Sequence, residues 1–548
     1  MDGLTMNYQL TLLALMRRAE TLFGHKEIVS YTPSGERFSY TYGEMIRRAK
    51  KLAIALRSLG VQPGERVAVL AWNHYRPLEA FFGIPACGAV LHTLNLRLHP
   101  SDLAYIVDHA SDSVLLVDSA LLRLLEQFRD RVNLRNVIVF SDDGAVPDGM
   151  LDYEALLARH DERDYAEPAI DEWQAAALCY TSGTTGRPKG VLYAHRALAL
   201  QCLAWTMADT FGIREAEVML PLAPMFHINA WEMPYTATLV GAKQVLVRPQ
   251  LDSPTLLCLL ERERVTFTAG ITTIWLGLLD YLERNPEAYQ LTHLRAIAIG
   301  GAAAPRSMIR GYAERYGVEI LTSWGMTETA PMATISTLPG DLAHLPREEQ
   351  YDWRTRPGYA VPFVELRTRD ADGALVAWDG QTMGELEVRG PWVASGYYNS
   401  PESADRVTED GWLRTGDIVT IDERGWIDLK DRSKDLVKSG GEWISSVALE
   451  NALMDHPAIL EAAVIAIPHP SWLERPLAVV VLREGYTVSE EQLLAHLAPR
   501  FAKWWLPDAI EFVGQIPHTP TGKFLKRALR DQFRDYTWPT TQRVERAT

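Results

Sequence analysis

Tyr180-Thr-Ser-Gly-Thr-Thr-Gly-Arg-Pro-Lys-Gly-Val191 is the most informative segment of the chain. It follows the apolar run 175–179 and precedes a predicted helix that begins at His195. Its glycines allow a tight turn that brings backbone N–H groups close to a ligand, and Lys189 adds a positive charge. The stretch therefore predicts a phosphate-binding loop between a strand and a helix. The residues expected to line this loop are Thr181, Ser182, Gly183, Thr184, Thr185, Gly186 and Lys189.

The end of the loop distinguishes it from the best-known phosphate-binding motif. A Walker A loop closes with Gly-Lys followed by Ser or Thr, and this stretch has no such ending. By composition alone, a flexible connection rich in Ser, Thr and Gly is as well supported as a phosphate cradle. The choice between the two depends on the sequence on either side.

Helical and strand patterns alternate on the N-terminal side of the loop. Residues 42–59 and 77–87 have helical apolar spacing, whereas 66–71 and 112–118 are short apolar strands. This alternation predicts α/β units whose strands are largely parallel and buried on both faces.

The pattern changes after residue 355. Segments 364–368 and 384–389 alternate apolar and polar residues between glycines, which predicts antiparallel strands. The charged segment 428–435 follows and is the predicted hinge between domains. We therefore expect an N-terminal domain over residues 1–431 and a smaller α+β domain over residues 432–548.

Composition and charge exclude several classes of protein. The chain has 548 residues, of which 55 are basic and 70 acidic, and its net charge of -15 argues against broad binding to nucleic acid or anionic membranes. No apolar run reaches the roughly 18 to 20 residues of a membrane span, and no signal-peptide pattern is present. The four cysteines (Cys87, Cys179, Cys202 and Cys258) lack metal or disulfide spacing, so we expect buried thiols in a cytoplasmic protein.

The loop at 180–191 resembles the signature loop of the adenylate-forming superfamily, which includes acyl-CoA synthetases, luciferases and peptide-synthetase adenylation domains. The resemblance covers nearly the whole chain, because further motifs follow in the order of that family. They are Pro224-Met-Phe-His-Ile-Asn-Ala-Trp231, Gly300-Gly-Ala-Ala-Ala-Pro305, Trp324-Gly-Met-Thr-Glu-Thr329, Gly411-Trp-Leu-Arg-Thr-Gly-Asp417, Asp431-Arg-Ser-Lys-Asp-Leu-Val-Lys-Ser-Gly-Gly-Glu-Trp443 and Pro517-His-Thr-Pro-Thr-Gly-Lys523.

The resemblance implies both a fold and a reaction. The expected fold is a large N-terminal domain of layered α/β subdomains with a small β-barrel-like subdomain, followed by a small mobile α+β domain. Segments 91–95, 224–231 and 438–445 are most similar to bacterial medium- and long-chain fatty acyl-CoA synthetases. Such an enzyme joins a fatty acid to coenzyme A (CoA) through an acyl adenylate, with ATP and CoA as co-substrates and Mg²⁺ as cofactor, often as a homodimer.

Other reactions remain open at this point. Methylthiopropionate-CoA ligases are close relatives of the same group, and other short-chain or aryl acids are alternative substrates. An adenylating enzyme that loads a carrier protein in trans and a luciferase-like oxygenase are further alternatives. The joint presence of Glu328, Asp417, Lys438 and Lys523 argues against a non-catalytic binding module.

The resemblance assigns roles at the nucleotide. Glu328 and Thr184 are the expected magnesium ligands, since magnesium prefers oxygen, and Thr327 lies by the α-phosphate. Asp417 is expected to accept hydrogen bonds from the ribose hydroxyls. Lys523 is the main catalytic candidate of the first half-reaction. The remaining residues expected at ATP or AMP are Gly301, Thr322, Ser323, Trp324, Arg432, Lys434 and Lys438, of which Lys438 is also assigned to catalysis, Lys434 marks the pivot and Trp324 stacks on adenine.

The resemblance also assigns the other two substrates. The acyl pocket is expected to be bordered by His227, Ile228, Trp231, Gly301 and Ala302, with Trp231 as a gate. The CoA side is expected to include Ser439, Gly440, Gly441 and Trp443. Three basic neighbours of the catalytic lysine, Lys526, Arg527 and Arg530, are expected to be solvated.

Overall fold

The computed structural model describes residues 1, 3–31, 35–142, 144–181, 187–248, 251–286, 289–301, 303–370, 372–439, 442–518 and 524–538. Within these ranges the strands pair into four sheets, two of them large and mostly parallel. The strands are β1 (Glu27–Tyr31), β2 (Arg37–Thr41), β3 (Arg66–Leu70), β4 (Val90–Thr93), β5 (Asp112–Asp118), β6 (Asn136–Phe140), β7 (Leu151–Asp152), β8 (Ala175–Tyr180), β9 (Gly190–Ala194), β10 (Val218–Pro221), β11 (Lys243–Leu246), β12 (Phe267–Gly270), β13 (Ala296–Ile299), β14 (Glu319–Trp324), β15 (Thr334–Ile335), β16 (Tyr359–Ala360), β17 (Glu365–Arg369), β18 (Gly384–Arg389), β19 (Leu413–Ile421), β20 (Ile427–Arg432), β21 (Val437–Ser439), β22 (Glu442–Ile444), β23 (Ile459–His469), β24 (Leu473–Leu482) and β25 (Ala509–Phe512).

Helices cover the faces of these sheets and begin where the sequence supplies caps. At the start of the second helix, for example, Thr41 Oγ1 accepts a hydrogen bond from Glu44 N and Thr41 N donates to Glu44 Oε2. The helices are α1 (Leu12–Phe23), α2 (Tyr42–Ser58), α3 (Tyr75–Ala86), α4 (Pro100–Ala110), α5 (Leu122–Glu126), α6 (Tyr153–Ala158), α7 (His195–Thr206), α8 (Ile228–Trp231), α9 (Met233–Val240), α10 (Ser253–Arg262), α11 (Thr272–Arg284), α12 (Arg306–Tyr316), α13 (Arg347–Arg354), α14 (Ser446–Met454), α15 (Glu490–Leu497) and α16 (Lys526–Gln532).

The first large sheet carries the predicted phosphate loop. Its strand order is β7-β6-β5-β3-β4-β8-β9, parallel except for the antiparallel pair β8–β9. The strands are apolar on both faces because helices cover both sides, as the alternating pattern predicts. The loop connects β8 to β9, and α7 begins at His195 as predicted.

The second large sheet supplies the opposite wall of the site. Its order is β16-β15-β14-β13-β12-β10-β11-β1-β2, with parallel pairing from β14 through β13, β12, β10 and β11 to β1. Parallel neighbours end at the same edge of a sheet, so the segments that follow β13 and β14 lie side by side. Gly300 and Gly301 follow β13, and Thr327 and Glu328 follow β14.

The remaining two sheets are smaller and mainly antiparallel. The order β17-β18-β19-β20 confirms the antiparallel strands predicted after residue 355. Among the described residues this sheet is open, with β17 and β20 at its edges, so the barrel-like closure is not confirmed. The predicted hinge 428–435 is in part a strand, since β20 continues to Arg432.

The C-terminal sheet builds a domain with its own core. The hairpin β23–β24 pairs with β21 and β25, and α14 and α15 cover one face. Leu449, Val464, Val480 and Leu493 belong to one buried cluster of this domain. This confirms the small α+β domain, and the boundary expected at residues 431/432 falls at the end of β20.

Two expectations about single residues were wrong. Cys258 is exposed, because it lies on the outward face of α10 whose inward face is formed by Leu256, Leu257 and Leu260. Lys526 is not solvated but buried, because α16 packs it against carboxylates of the C-terminal domain. Among the described residues no helix is both long and apolar enough to cross a membrane.

Candidate active site

Asp417 lies in a polar cluster formed by β19, β20 and the end of β14. It is buried in β19, directly opposite Arg432 of β20 in the strand register. Its Oδ1 is 2.6 Å from Arg432 Nε, and its Oδ2 accepts a hydrogen bond of 2.9 Å from Trp324 Nε1. Two donors thereby fix the plane of the carboxylate and leave it acceptor sites for a further ligand.

Trp324 ends β14, and the residues before it are tied into the sheet edge. Thr322 Oγ1 donates to Arg354 O, and Ser323 Oγ donates to Thr334 O over 2.8 Å. These hydroxyls are therefore engaged with the backbone. The indole of Trp324, held at its nitrogen by Asp417, links the expected adenine and ribose positions.

Glu328 is the second buried carboxylate of the site. It lies in the short 3₁₀ turn Thr327–Thr329, and its Oε1 accepts a hydrogen bond from the hydroxyl of Tyr397. The ammonium of Lys189 lies 5.1 Å from the centre of the Tyr397 ring. Burial, together with the nearby Glu328, raises the pKa of Tyr397, so the phenol stays neutral and donates. The neighbouring Thr327 O accepts 2.5 Å from Tyr193 Oη.

The two described ends of the phosphate loop are joined to each other. Thr181 N donates to Lys189 O over 2.9 Å, and Lys189 N donates to Thr181 Oγ1 over 3.1 Å. Tyr398 N donates to Gly190 O, which places the segment with Tyr397 beside this loop. The chain thus brings Lys189, Tyr397 and Glu328 together at one end of the loop.

The expected acyl pocket contains an unusual backbone. Residues 228–232 all have positive φ, between 43° and 65°, so α8 is a left-handed turn. Left-handed helical geometry costs roughly 1–2 kcal/mol for each L-residue, so the packing around the turn must hold it. A Cβ at Gly300 would lie 3.4 Å from Trp231 Cη2, which places the Trp231 ring directly over this glycine. Gly301 adopts a φ of +86°, which suits glycine.

His227 and Ile228 of the predicted acyl pocket and Lys434 of the predicted pivot are described by their burial and their charged neighbours. His227 is half-buried and precedes the left-handed turn, and Ile228 is buried. Lys434 follows β20, and burial lowers its pKa. The positive charge of Arg432 lowers this pKa further, and the negative charge of Asp417 raises it. This places Lys434 near the Asp417 cluster.

The expected CoA residues lie in the C-terminal domain. Lys438 and Trp443 are directly opposite each other in β21 and β22, and Lys438 is exposed. Ser439 is buried, and its Oγ accepts a hydrogen bond of 2.9 Å from Arg475. The described hydrogen bonds of Lys438 and Ser439 are thus to residues of their own domain.

Several predicted site residues lie outside the described residues. They are Ser182, Gly183, Thr184, Thr185, Gly186, Ala302, Gly440, Gly441 and Lys523.

Sequence reasoning missed Tyr397 and Tyr193. Tyr397 is 69 residues from Glu328 and Tyr193 is 134 residues from Thr327. Nothing in the sequence around either tyrosine signals these contacts, because Tyr193 lies on β9, Tyr397 lies between β18 and β19, and their partners lie in the turn after β14.

The described protein donor of the expected magnesium site is the carboxylate of Glu328, and its oxygen atoms are of the kind that magnesium prefers. Among the described residues, no group of three or more His, Cys, Asp or Glu side chains could hold a metal ion. A single buried carboxylate suits Mg²⁺, which keeps several waters and is bound mainly by substrate phosphates.

Comparisons with known proteins agree with this geometry. A family model described as AMP-binding enzyme matches residues 16–398, and one described as AMP-binding enzyme C-terminal domain matches residues 448–523. The chain belongs to the family of AMP-binding enzymes, the adenylate-forming superfamily that its motifs resemble.

Individual relatives span nearly the whole chain. A long-chain-fatty-acid–CoA ligase of Thermus thermophilus is 49% identical over 534 residues, covering 97% of each chain. A 3-methylmercaptopropionyl-CoA ligase of Ruegeria lacuscaerulensis is 41% identical over 539 residues, covering 98% of this chain and 99% of that one. The crystal structure of an anthranilate CoA ligase in complex with anthranoyl-AMP has a TM-score of 0.86 at 27% identity, covering 97% of this chain and 99% of that chain.

Proposed function

We propose that this protein is an AMP-forming fatty acid–CoA ligase that acts on medium- or long-chain acids. The observation that carries the proposal is the buried Asp417 of β19, which is held between Arg432 and Trp324, the last residue of β14, while Glu328 lies in the turn that follows β14. The named substrate of the Thermus thermophilus relative supports the fatty nature of the acid. A medium-chain-fatty-acid–CoA ligase of Ectopseudomonas oleovorans, 39% identical over 540 residues, supports medium chains.

ATP binding follows from the fixed carboxylate. Asp417 accepts hydrogen bonds from the two ribose hydroxyls with the acceptor sites that Trp324 and Arg432 leave free. The Trp324 ring stacks on adenine. The loop from Thr181 to Lys189 surrounds the phosphates, with Thr327 beside the α-phosphate.

Adenylation requires no general base, because a carboxylic acid is ionised at pH 7. A carboxylate oxygen attacks the α-phosphorus, the bond to the bridging oxygen breaks, and pyrophosphate leaves with that electron pair. The barrier arises from the approach of two anions, which fixed positive charge lowers. Lys189, near the ring of Tyr397, and Lys523 supply that charge.

Magnesium would be held by Glu328 and Thr184. When bound, it neutralises phosphate charge and orients the leaving group. The hydrogen bond from Tyr397 fixes Glu328 Oε1, which presents the other oxygen in a defined direction.

The second half-reaction transfers the acyl group. The thiol of CoA gives its proton to water, its sulfur attacks the acyl carbon, and AMP leaves with the electrons of the broken carbon–oxygen bond. Rotation of the C-terminal domain about Lys434 would exchange Lys523 for the segment with Lys438, Ser439, Gly440, Gly441 and Trp443.

AMP release with a panel of acids tests the proposal. The panel contains short, medium and long fatty acids, 3-methylthiopropionate and an aromatic acid, each with and without CoA. We expect turnover with medium or long chains that needs CoA to continue. Turnover confined to aromatic acids refutes the fatty substrate. AMP release that does not depend on an added acid refutes adenylation of an acid.

Two alternatives have their own outcomes. Best turnover with 3-methylthiopropionate would match the substrate named for the Ruegeria lacuscaerulensis relative. Acyl transfer to a carrier protein but not to CoA would favour carrier loading. Asp417→Asn should abolish AMP release, whereas the matched control Asp535→Asn, at an exposed site, should leave it unchanged.

We also propose a cytoplasmic homodimer. The four cysteines are not paired as disulfides in the structure, which fits a reducing compartment. Sedimentation equilibrium tests the dimer, and cell fractionation tests the location.

A further inference from the structure

A chain of hydrogen bonds runs from the N-terminal domain to the start of α16. Asp431, at the end of β20, accepts hydrogen bonds at Oδ2 from Ser446 N over 2.6 Å and from Ser446 Oγ over 2.5 Å. Ser446 Oγ in turn accepts from Lys526 Nζ over 2.5 Å. Lys526 Nζ also lies 2.7 Å from Glu450 Oε1.

Each bond in this chain has a defined direction. The ammonium of Lys526 donates to the hydroxyl of Ser446, and that hydroxyl donates its single proton to Asp431. The four side chains are buried, so water cannot replace these partners. Burial raises the pKa of Glu450 to about 7, with Lys526 acting against that rise.

The bonds to Asp431 cross the expected domain boundary. Asp431 belongs to β20 of the N-terminal part, whereas Ser446 begins α14 of the C-terminal domain. The hydroxyl of Ser445 makes a second crossing by donating to Lys430 O. Rotation of the C-terminal domain about Lys434 would have to break both contacts.

Lys526 also adjoins the segment that carries the expected catalytic lysine. His518 and Phe524, which flank residues 519–523, form an antiparallel bridge, and Leu525 N donates to Pro517 O over 2.8 Å. Lys526 follows directly as the first residue of α16. Its ammonium therefore anchors the base of this segment to α14.

We infer that Lys526 is a positioning residue for adenylation. This inference rests on the proposed function. Through Ser446 and Asp431 it fixes the base of the Lys523 segment against the N-terminal domain. The same contacts hold the C-terminal domain in the orientation of this structure, which we assign to adenylation. They are released when the domain turns to the thioester-forming orientation, in which Lys523 is not required.

Two half-reactions distinguish positioning from mere stability. The first is acid-dependent exchange of pyrophosphate into ATP, and the second is thioester formation from supplied acyl adenylate and CoA. Lys526→Met should lower the first by about 10- to 100-fold, as expected for a misplaced catalytic group, and leave the second within about 2-fold. Lys526→Arg should restore part of the exchange activity.

Ser446→Ala guards against a folding defect in Lys526→Met. It removes the shared hydroxyl but keeps the Lys526–Glu450 ion pair, and it should show the same selective loss. Arg527→Met, at the exposed neighbour, is the matched control and should leave both half-reactions unchanged.

Equal losses in both half-reactions, or no loss in folded Ser446→Ala, would overturn the role of Lys526. These outcomes can be interpreted once the unmodified protein shows acid-dependent exchange of pyrophosphate into ATP. If the unmodified protein exchanges no pyrophosphate with any acid, the proposed function itself fails and the role of Lys526 fails with it.

Discussion

The indole nitrogen of Trp324 donates a hydrogen bond of 2.9 Å to Asp417 Oδ2, although the two residues are 93 positions apart. This bond joins the end of β14 in one sheet to β19 in another. It makes the expected adenine platform and the expected ribose acceptor a single rigid unit.

Loss of that bond should weaken ATP binding. Trp324→Phe keeps an aromatic ring but leaves the buried Asp417 with one donor fewer. A hydrogen bond to a charged group contributes about 1.5–3 kcal/mol, so the KM for ATP should rise by at least about 10-fold. Trp173→Phe, at an exposed tryptophan, is the control. An unchanged KM for ATP in folded Trp324→Phe would show that the bond has no part in binding.

Tyr397→Phe should impair adenylation through Glu328. The variant removes the only hydroxyl described as donating to Glu328 Oε1 while keeping the ring beneath Lys189. Because outer partners of a ligand orient it, we expect the magnesium concentration for half-maximal activity to rise by about 10-fold. A magnesium titration of AMP release measures this, with Tyr486→Phe as the exposed control. Equal titration curves would contradict the assignment.

His195 should make the protein less stable in acid. It begins α7, accepts a hydrogen bond from Leu12 N over 3.3 Å, and burial lowers its pKa from 6.5 to about 4. The unfolded chain binds a proton near pH 6.5, so the contribution of neutral His195 is complete above that pH and is lost as the pH falls toward 4.

Urea unfolding across this pH range tests the His195 prediction. His195→Asn should show a smaller fall in unfolding free energy between pH 6.5 and pH 4 than the unmodified protein. His25→Asn, at an exposed histidine, should follow the unmodified protein. The same dependence of the unfolding free energy on pH in the unmodified protein and both variants would show that His195 does not cause the loss of stability in acid.

Glu232 should make the protein less stable as the pH rises. It is fully buried, and burial raises its pKa well above 4.5, with the neighbouring Asn229 side chain acting against that rise. Its contribution is therefore present below pH 4.5 and is lost as the pH rises through the folded-state pKa.

Replacement of the ionisable group tests this sign. Glu232→Gln should be more stable than the unmodified protein at pH 8, and the difference should shrink toward pH 4.5. Glu484→Gln, at an exposed site, should show no such trend. A pH-independent difference for Glu232→Gln would contradict the prediction.

Much of the fold follows from local pattern. The spacing of apolar residues predicts helices over 42–59 and 77–87, and the structure has α2 over Tyr42–Ser58 and α3 over Tyr75–Ala86. The strand predicted at 112–118 is β5 without change. Such elements are predictable because burial of one face requires a fixed residue period.

Solvation of individual side chains is less predictable. Lys526 is one of three basic residues that the local sequence predicts to be solvated. In the structure its ammonium pairs with Glu450 and donates a hydrogen bond to Ser446. These partners lie 76 to 80 positions earlier in the chain, so the local sequence carries no trace of them. The left-handed turn at 228–232 is similarly invisible, since its residues have no glycine to signal positive φ.

Residue type and order along the chain predict the class of enzyme and the chemical groups available to it: a phosphate loop, two carboxylates at Glu328 and Asp417 and the lysines. The donors that hold each carboxylate follow from the tertiary structure, and they are Trp324 and Arg432 for Asp417 and Tyr397 for Glu328. The reason is physical: a hydrogen bond depends on distance and direction, and these are established when separate sheets pack together.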